Sequence, residues 1–282
     1  MRRSLIALWL IALMPNAFAQ EFELPTLRGS TPFVPAPPTY TRWSGVYVGG
    51  QVGFAPAIIN FGSSPSSLIA DILRLTELEN TFHPSEWPSL PQRRTSGSSF
   101  GGFVGYNSQW DSIVLSVEAN YNRASTSSAA SDSITRIVTL RDKFNYTVTV
   151  TSGASAQLAE YGTARVRAGY EMNQFMPYFT MGLAVAPISY SKFATVSYPT
   201  PVYSLPPPTP PDLPPPTPSA FSGSRTEGRN NVLALGYAAG AGMDVLVLPN
   251  VFVRGEYEFV SLPIARMHMA LHSLHLGGGL KF

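Results

Sequence analysis

The chain has no cysteine. That excludes a disulfide scaffold, a thiolate zinc site, a thiol nucleophile and a lipid anchor carried on Cys. It is also short of charge. Asp, Glu, Lys and Arg make up 13% of its 282 residues, roughly half the usual share of a soluble domain. Neither sign is in surplus, with 19 basic and 17 acidic residues, so there is no basic stripe to hold nucleic acid. Long apolar runs are missing too. Beyond Met14 no stretch reaches 18 consecutive apolar residues, and a membrane helix is not expected. Yet 44% of the residues are hydrophobic and the mean hydropathy is +0.05, which is too apolar for disorder.

The first residues form an address. Met1-Arg2-Arg3 is basic, Ser4 to Met14 is apolar, and Ala17 and Ala19 sit at small-residue cleavage positions before Gln20. Residues 1–19 are expected to be a secretory signal peptide. Its removal leaves 17 basic and 17 acidic residues. Residues 20–42 are Pro-rich and without period, which reads as an extended linker.

From Trp43 onward, segments of about ten residues alternate with period two. Gly45–Phe54 sets Val46, Val48, Val52 and Phe54 against Gly45, Tyr47, Gly49, Gln51 and Gly53. Ile113–Asn122 sets Ile113, Leu115, Val117 and Tyr121 against Ser116, Glu118, Asn120 and Asn122. The same pattern recurs at Phe100–Tyr106, Tyr161–Tyr170, Pro177–Ala186, Leu233–Val245, Val251–Phe259 and Leu274–Phe282. These are eight strand candidates. A soluble sandwich also alternates, but two features favour a membrane barrel. The apolar face is rimmed by aromatics (Trp43, Tyr106, Trp110, Tyr121, Tyr170, Tyr257 and Phe282), and the other face is rich in glycine, as a narrow interior requires. The connections alternate as well: long at 55–99, short at 107–112, long at 123–160, short at 171–176, long at 187–232, short at 246–250 and moderate at 260–273. Short turns in the periplasm and long loops outside do this in outer-membrane barrels, and the pattern puts both termini in the periplasm.

The long connections differ in character. Ser64-Pro65, followed by Leu68, Ile69, Ile72, Leu73 and Leu75, predicts a short amphipathic helix packed on the barrel rim. Ser204–Pro218 reads as a solvated polyproline spacer. Ile134–Thr151 reads as a hairpin with its turn at Arg141-Asp142-Lys143. Ten strands would result if both arms crossed the bilayer, and the even parity would survive. Arg136 shares a face with Ile134 and Val138, and a lipid-facing arginine is costly, which favours eight.

Several of these segments together resemble a known group. They are Trp43-Ser44-Gly45-Val46-Tyr47-Val48-Gly49, Phe103-Val104-Gly105-Tyr106-Asn107, Thr163 to Tyr170 before Met176-Pro177-Tyr178, and Arg254-Gly255-Glu256-Tyr257. In order and spacing they resemble the small outer-membrane β-barrels of alphaproteobacteria, the porin-family surface antigens of the OmpA-like superfamily. The resemblance covers Trp43 to Phe282. It implies an all-β, antiparallel transmembrane barrel over residues 43–282, a bacterial outer-membrane location, and a structural or porin-like role. It implies as partners the outer-membrane lipids, and the barrel-assembly machinery and periplasmic chaperones during biogenesis. It also implies that Phe282, the terminal aromatic, is the assembly signal. No peptidoglycan-binding domain is expected after the barrel.

Inward positions collect Glu118, Arg165, Arg167, Asp244, Arg254, Glu256, Glu258 and Lys281. Unpaired charge inside a narrow barrel is costly, so a mutual salt-bridge network that plugs the lumen is expected. The competing reading of these charges is a selective pore. Chemistry is poorly supported. Glu256 and Glu258 share a face, but arginines stand ready to neutralise them. His268, His272 and His275 lie close in sequence, yet His272 and His275 face opposite ways and no acid completes a metal site. Ser273 and His275 share a face, without a nucleophile motif or an orienting acid. No catalytic, cofactor or metal site is expected. An adhesin or ligand-binding barrel acting through its loops is the alternative function, and a lipid-modifying enzyme is a third.

Overall fold

The computed structural model describes residues 42–204 and 217–282. The predicted signal peptide, nearly all of the predicted linker and most of the Pro-rich spacer lie outside the described residues. Eight long strands form the wall: β1 Gly45–Phe54, β2 Ser98–Trp110, β3 Ile113–Thr139, β4 Phe144–Tyr170, β5 Phe175–Tyr198, β6 Phe221–Leu248, β7 Val251–Ile264 and β8 Met267–Lys281. Each pairs antiparallel with the next in sequence. β1 also pairs with β8, from Tyr47↔Lys281 to Phe54↔Leu274. The sheet therefore closes on itself and leaves no edge at the level of the ring. The alternative of ten strands falls away, because both arms of the 134–151 hairpin continue β3 and β4 rather than adding new strands.

The outward face of the ring near the chain termini is apolar. Val46, Val48, Val104, Leu115, Val117, Val166, Phe179, Met181, Leu183, Leu235, Val253, Leu276 and Leu280 are all exposed there. Tyr106, Trp110, Tyr121, Tyr170 and Tyr257 are exposed among them. On β3 the apolar outward residues run from Ile113 to Tyr121. Nine residues at about 3.4 Å each, tilted by about 40°, give a belt roughly 23 Å tall, close to the apolar band of an outer-membrane barrel. Among the described residues, no helix is long and apolar enough to cross a membrane. Trp43 departs from its predicted place in the aromatic rim: it is 1% exposed, inside the barrel mouth. Its backbone N–H donates to Gln109 and its carbonyl accepts from Asn107, so Trp43 is held inward instead of along the wall.

At the end away from the termini the strands run far beyond this belt. β3 and β4 are 27 residues each and stay paired up to Thr139↔Asn145. β5 and β6 stay paired up to Tyr198↔Phe221. Most of the regions predicted as long loops at 123–160 and 187–232 are therefore strand. The moderate connection at 260–273 is also strand, closed by the two-residue turn Ala265-Arg266. Both turn residues have positive φ, 48° and 65°, as a tight hairpin matching the twist of its strands requires. The first long connection, between β1 and β2 and called loop one below, is compact. Two short strands, Ala57–Asn60 and Arg93–Thr95, extend the sheet beyond β8, and helices α1 Ser66–Ile72 and α2 Glu77–Phe82 lie between them in sequence. The helix predicted after Pro65 is α1. Leu68, Ile69 and Leu73 are buried as its periodicity requires, but Leu75 is 91% exposed. The helix has already ended at Ile72, and Leu75 sits at positive φ.

Candidate functional site in the lumen and on the distal sheet

The lumen is filled in layers. Nearest the termini, Tyr47, Phe103 and Phe252 meet with ring centroids 6.0–6.1 Å apart, joined by Trp43, Val114, Met176, Tyr178 and Leu246. The glycine-rich inward face makes room for them. A side chain at Gly49 would collide with the Phe103 ring, and one at Gly279 with the Phe252 ring. Both aromatics press against wall that carries no Cβ.

Above this plug stands a charged layer. Period-two alternation on β3, β4, β6 and β7 aims Glu118, Arg165, Arg167, Asp244, Arg254, Glu256 and Glu258 at one another, all at most 4% exposed. Glu118 is the hub. It accepts from the Tyr47 hydroxyl at 2.8 Å, from Arg167 Nη1 at 2.9 Å, from Arg254 Nη1 at 2.8 Å and from Arg165. Arg165 also reaches Glu256 at 2.5 Å and Glu258 at 2.9 Å. Asp244 accepts from Arg167 Nη2 at 2.8 Å and from Arg254 through Nε at 2.8 Å and Nη2 at 3.1 Å. Tyr178 donates to Glu256 at 2.7 Å and Tyr161 to Glu258 at 2.9 Å. The Arg167 guanidinium stacks 3.8 Å over Tyr178 and that of Arg254 lies 4.0 Å over Phe103. Asn120, with its amide turned to satisfy its neighbours, accepts from Arg165 at 2.7 Å and donates to the Gly102 carbonyl at 3.1 Å.

Seven of the eight predicted network residues come together. Lys281 does not. Its ammonium reaches the Arg42 carbonyl and lies 5.9 Å over Trp43, at the barrel mouth. Position 281 is one from the chain end, and the long side chain escapes to the rim where water is available. Four acids then face three arginines. The remaining position beside the acids is taken by His275, whose Nε2 is 3.4 Å from Glu258. His275, Tyr47, Tyr161 and Tyr178 were not counted in the sequence-predicted network. Their inward parity was the available signal, since each lies on the face carrying the charges. The three clustered histidines separate as alternation predicts: His275 is buried, while His272 bonds the hydroxyl of outward Tyr257 at 2.7 Å. Ser273 is buried beside His275. Phe282 is 73% exposed at the end of β8, its N–H bonded to the Val46 carbonyl at 2.8 Å.

Beyond the charged layer the interior turns apolar. Ile59, Phe61, Leu158, Tyr161, Ile188, Val260, Leu262, Met267, Met269 and Leu271 form one cluster. Farther out, Leu68, Ile69, Leu73 and Leu78 of loop one pack on Val138, Phe144, Tyr146, Val148, Val150, Ala194 and Val196 of β3, β4 and β5. Helices α1 and α2 thus cap the far end from within. Tyr146 donates to Asp142 at 2.6 Å. Burial and that carboxylate hold its hydroxyl well above the ordinary tyrosine range.

The outward face of the distal sheet is different again. It is lined by Ser and Thr, and the registers align them in rows across four strands: Ser133↔Thr151↔Thr195↔Ser224 and Thr135↔Thr149↔Ser197↔Ser222. Hydroxyls bond along the rows, Ser133 to Thr151 at 2.9 Å, Thr135 to Thr149 at 2.9 Å and Thr195 to Ser224 at 3.1 Å.

A family model described as an outer membrane protein beta-barrel domain matches residues 30–282. The chain belongs to that family. It is a β-barrel of the bacterial outer membrane, in contact with the lipids of that membrane. It is 23% identical over 275 residues to the 25 kDa outer-membrane immunogenic protein of Brucella ovis, covering 96% of this chain and 94% of that protein. The protein of the same description from Brucella abortus is 24% identical over 254 residues, covering 88% and 79%. Among solved structures it is similar to Ail, the attachment invasion locus protein of Yersinia pestis, at 12% identity and a TM-score of 0.32 over 85% of this chain and 99% of that one. Neisserial surface protein A matches at 13% identity and a TM-score of 0.37, over 85% and 98%. The similarity to outer-membrane immunogenic proteins suits a structural or surface role in the cell envelope.

Proposed function

We propose that this barrel does not conduct, and that it acts by holding a rigid sheet outside the cell. The observation that carries the reading is the hub at Glu118. One carboxylate on β3 is bonded by side chains from β1, β4 and β7, so the lumen is bridged from wall to wall. Aromatic rings seal it on one side and aliphatic side chains on the other. A water-filled path would need these ion pairs to part, and each guanidinium or carboxylate left alone in the layer is costly. The expected result in planar bilayers is no stepwise current from the refolded barrel. Regular single-channel steps would make it a pore and overturn the reading.

The termini belong in the periplasm on this reading, because the turns at that end are short and the chain beyond the belt at the other end is long. The distal sheet then stands outside. A binding role for that sheet, the adhesin-like alternative, is favoured by its hydroxyl rows. We read the barrel as carrying no enzyme, since Ser273 and His275 are sealed inside the lumen. Phe282 serves as the handle for the assembly machinery, with periplasmic chaperones escorting the unfolded chain. Its exposed ring at the last strand's end supports this. Deleting Phe282 is expected to lower outer-membrane yield in cells and leave refolding into detergent nearly unchanged. Equal, modest losses in both would reduce it to an interfacial anchor.

A further inference from the structure

We propose that the outward face of the distal sheet carries a binding site for an acidic sugar residue of a surface glycan, between Arg93 and Phe193. This rests on the reading of that sheet as the presented surface and names what it would hold.

The site is a depression of about 210 Å³ lined by Arg93, Ala129, Ser131, Ser155, Ser191 and Phe193. It crosses the sheet from side to side. Ala129 lies opposite Ser155, which lies opposite Ser191. One step along, Ser131 lies opposite Gly153 and Gly153 opposite Phe193. The floor is thus made of the smallest side chains on the face. Two large ones flank it, and each is anomalous in its surroundings. Phe193 is the large aromatic among the hydroxyl rows, 38% exposed where its neighbours are Ser and Thr. Its ring leans over Gly153, where any Cβ would strike it, so the ring is held against the sheet while more than a third of it stays exposed. Arg93 is exposed on the short strand Arg93–Thr95. Among the described residues its side chain has no ion-pair or hydrogen-bond partner.

A fixed aromatic face, three hydroxyls and one free guanidinium within a depression of one-ring size define a ligand chemistry. The ring face takes the apolar C–H face of a pyranose by dispersion. The serines take ring hydroxyls with adaptable hydrogen bonds. The planar guanidinium takes a carboxylate in a charge-assisted, bidentate contact. A peptide fits less well, because the floor has no apolar pocket for an anchor side chain. The acidic sugar has two sources: the membrane's own glycolipid, and a glycan free in the surroundings.

The test is saturation-transfer NMR on the full barrel in phosphatidylcholine nanodiscs, with methyl β-glucuronide, methyl β-glucoside and sodium sulfate as probe, neutral control and competitor. The expected result is transfer to the glucuronide ring protons and at least tenfold weaker binding of the glucoside. Arg93→Gln should bring the glucuronide down to the glucoside level, and Phe193→Ala should remove transfer to both. Heat-modifiable migration on a gel checks that each variant is closed. Displacement of glucuronide by equimolar sulfate would overturn the saccharide site in favour of a bare anion site. Equal binding of the two sugars, or an unaffected Arg93→Gln variant, would overturn the acidic specificity, and no binding would overturn the whole. Repeating the titration in nanodiscs containing lipopolysaccharide separates the sources: loss of glucuronide binding supports the site with the membrane's own glycolipid in it, and unchanged binding supports it with a free glycan. Conductance on the same preparation keeps the two proposals apart. Silence without sugar binding overturns only this inference, and regular current with binding intact overturns only the closed barrel.

Discussion

The lower and upper halves of the same four strands obey opposite rules. Along β3, Leu115, Val117 and Tyr121 point out while Glu118 and Asn120 point in. Past Arg123, Ser127, Ser131 and Ser133 point out while Ala124, Ala130 and Val138 are buried inside. The pleat has not changed; the surroundings have. In the lower half the outside is lipid, so apolar side chains face outward and the polar ones must satisfy one another in a dry lumen. In the upper half the outside is water, so hydroxyls face outward and the apolar set turns in against loop one. The change falls at register shifts, between Arg123 and Thr126 on β3 and between Leu158 and Gly162 on β4. β3 keeps its parity through the shift, whereas β4 changes from odd residues inward (Arg165, Arg167) to even ones (Leu158, Ala156), as a bulge on one of two paired strands allows. One polypeptide wall thus runs a membrane protein's core and a soluble protein's core end to end.

If the lower core is held by charge and the upper by packing, the two should break differently. The largest effect is expected at Arg167→Glu. It sets a fifth carboxylate among Glu118 and Asp244, and a buried pair broken in this way costs on the order of 3–5 kcal/mol or more. Asp244→Arg should recover a good part of the loss, because Asp244 is the direct partner at 2.8 Å. Glu256→Arg should recover little, because Glu256 pairs with Arg165. Urea unfolding in lipid vesicles reads both, and equal rescue by the two would dissolve the specific pairing. Next comes Leu158→Ala in the upper cluster, with an expected loss of about 2–4 kcal/mol. No charge swap should repair it, and its cost should be the same at low and high salt; a strong salt dependence would erase the contrast between the halves. The smallest effect is expected at Thr76→Ala. The Thr76 hydroxyl accepts from the Glu79 N–H at 3.3 Å and caps α2, and losing such a cap costs about 1 kcal/mol. Faster proteolysis within loop one, with the unfolding of the barrel unchanged, is the measurement that checks it.

How far the sequence could be read follows the same boundary. In the lower half the alternation is of high contrast, Val and Leu against Glu, Arg and Gly, and all eight strands were legible there. In the upper half the contrast drops to Ser and Thr against Ala and Val, and the period no longer stands out. The long strand continuations of β3 to β6 looked like loops for that reason. Gly153 and Phe193 show the limit within the face: the wall of a depression cannot be inferred when its flanks come from segments far apart in sequence and meet only through register.

Composition and parity by themselves determined the class of the molecule. A charge-poor chain without long apolar runs, whose apolar residues recur every second position, can bury its backbone in lipid only as a closed sheet. Parity also determined which side chains face the lumen, because successive residues on a strand point to opposite sides. The tertiary structure alone decided which of them meet. Pairing across the lumen depends on the stagger of strands far apart in sequence, so only the closed barrel puts Arg167 on Asp244 rather than on Glu256. It alone decided that His275 stands beside Glu258 while Lys281 leaves for the rim. It also decided that the wall continues past the belt as one sheet, because the register shift at Leu158/Gly162 lets β4 change its inward residues while β3 keeps its own.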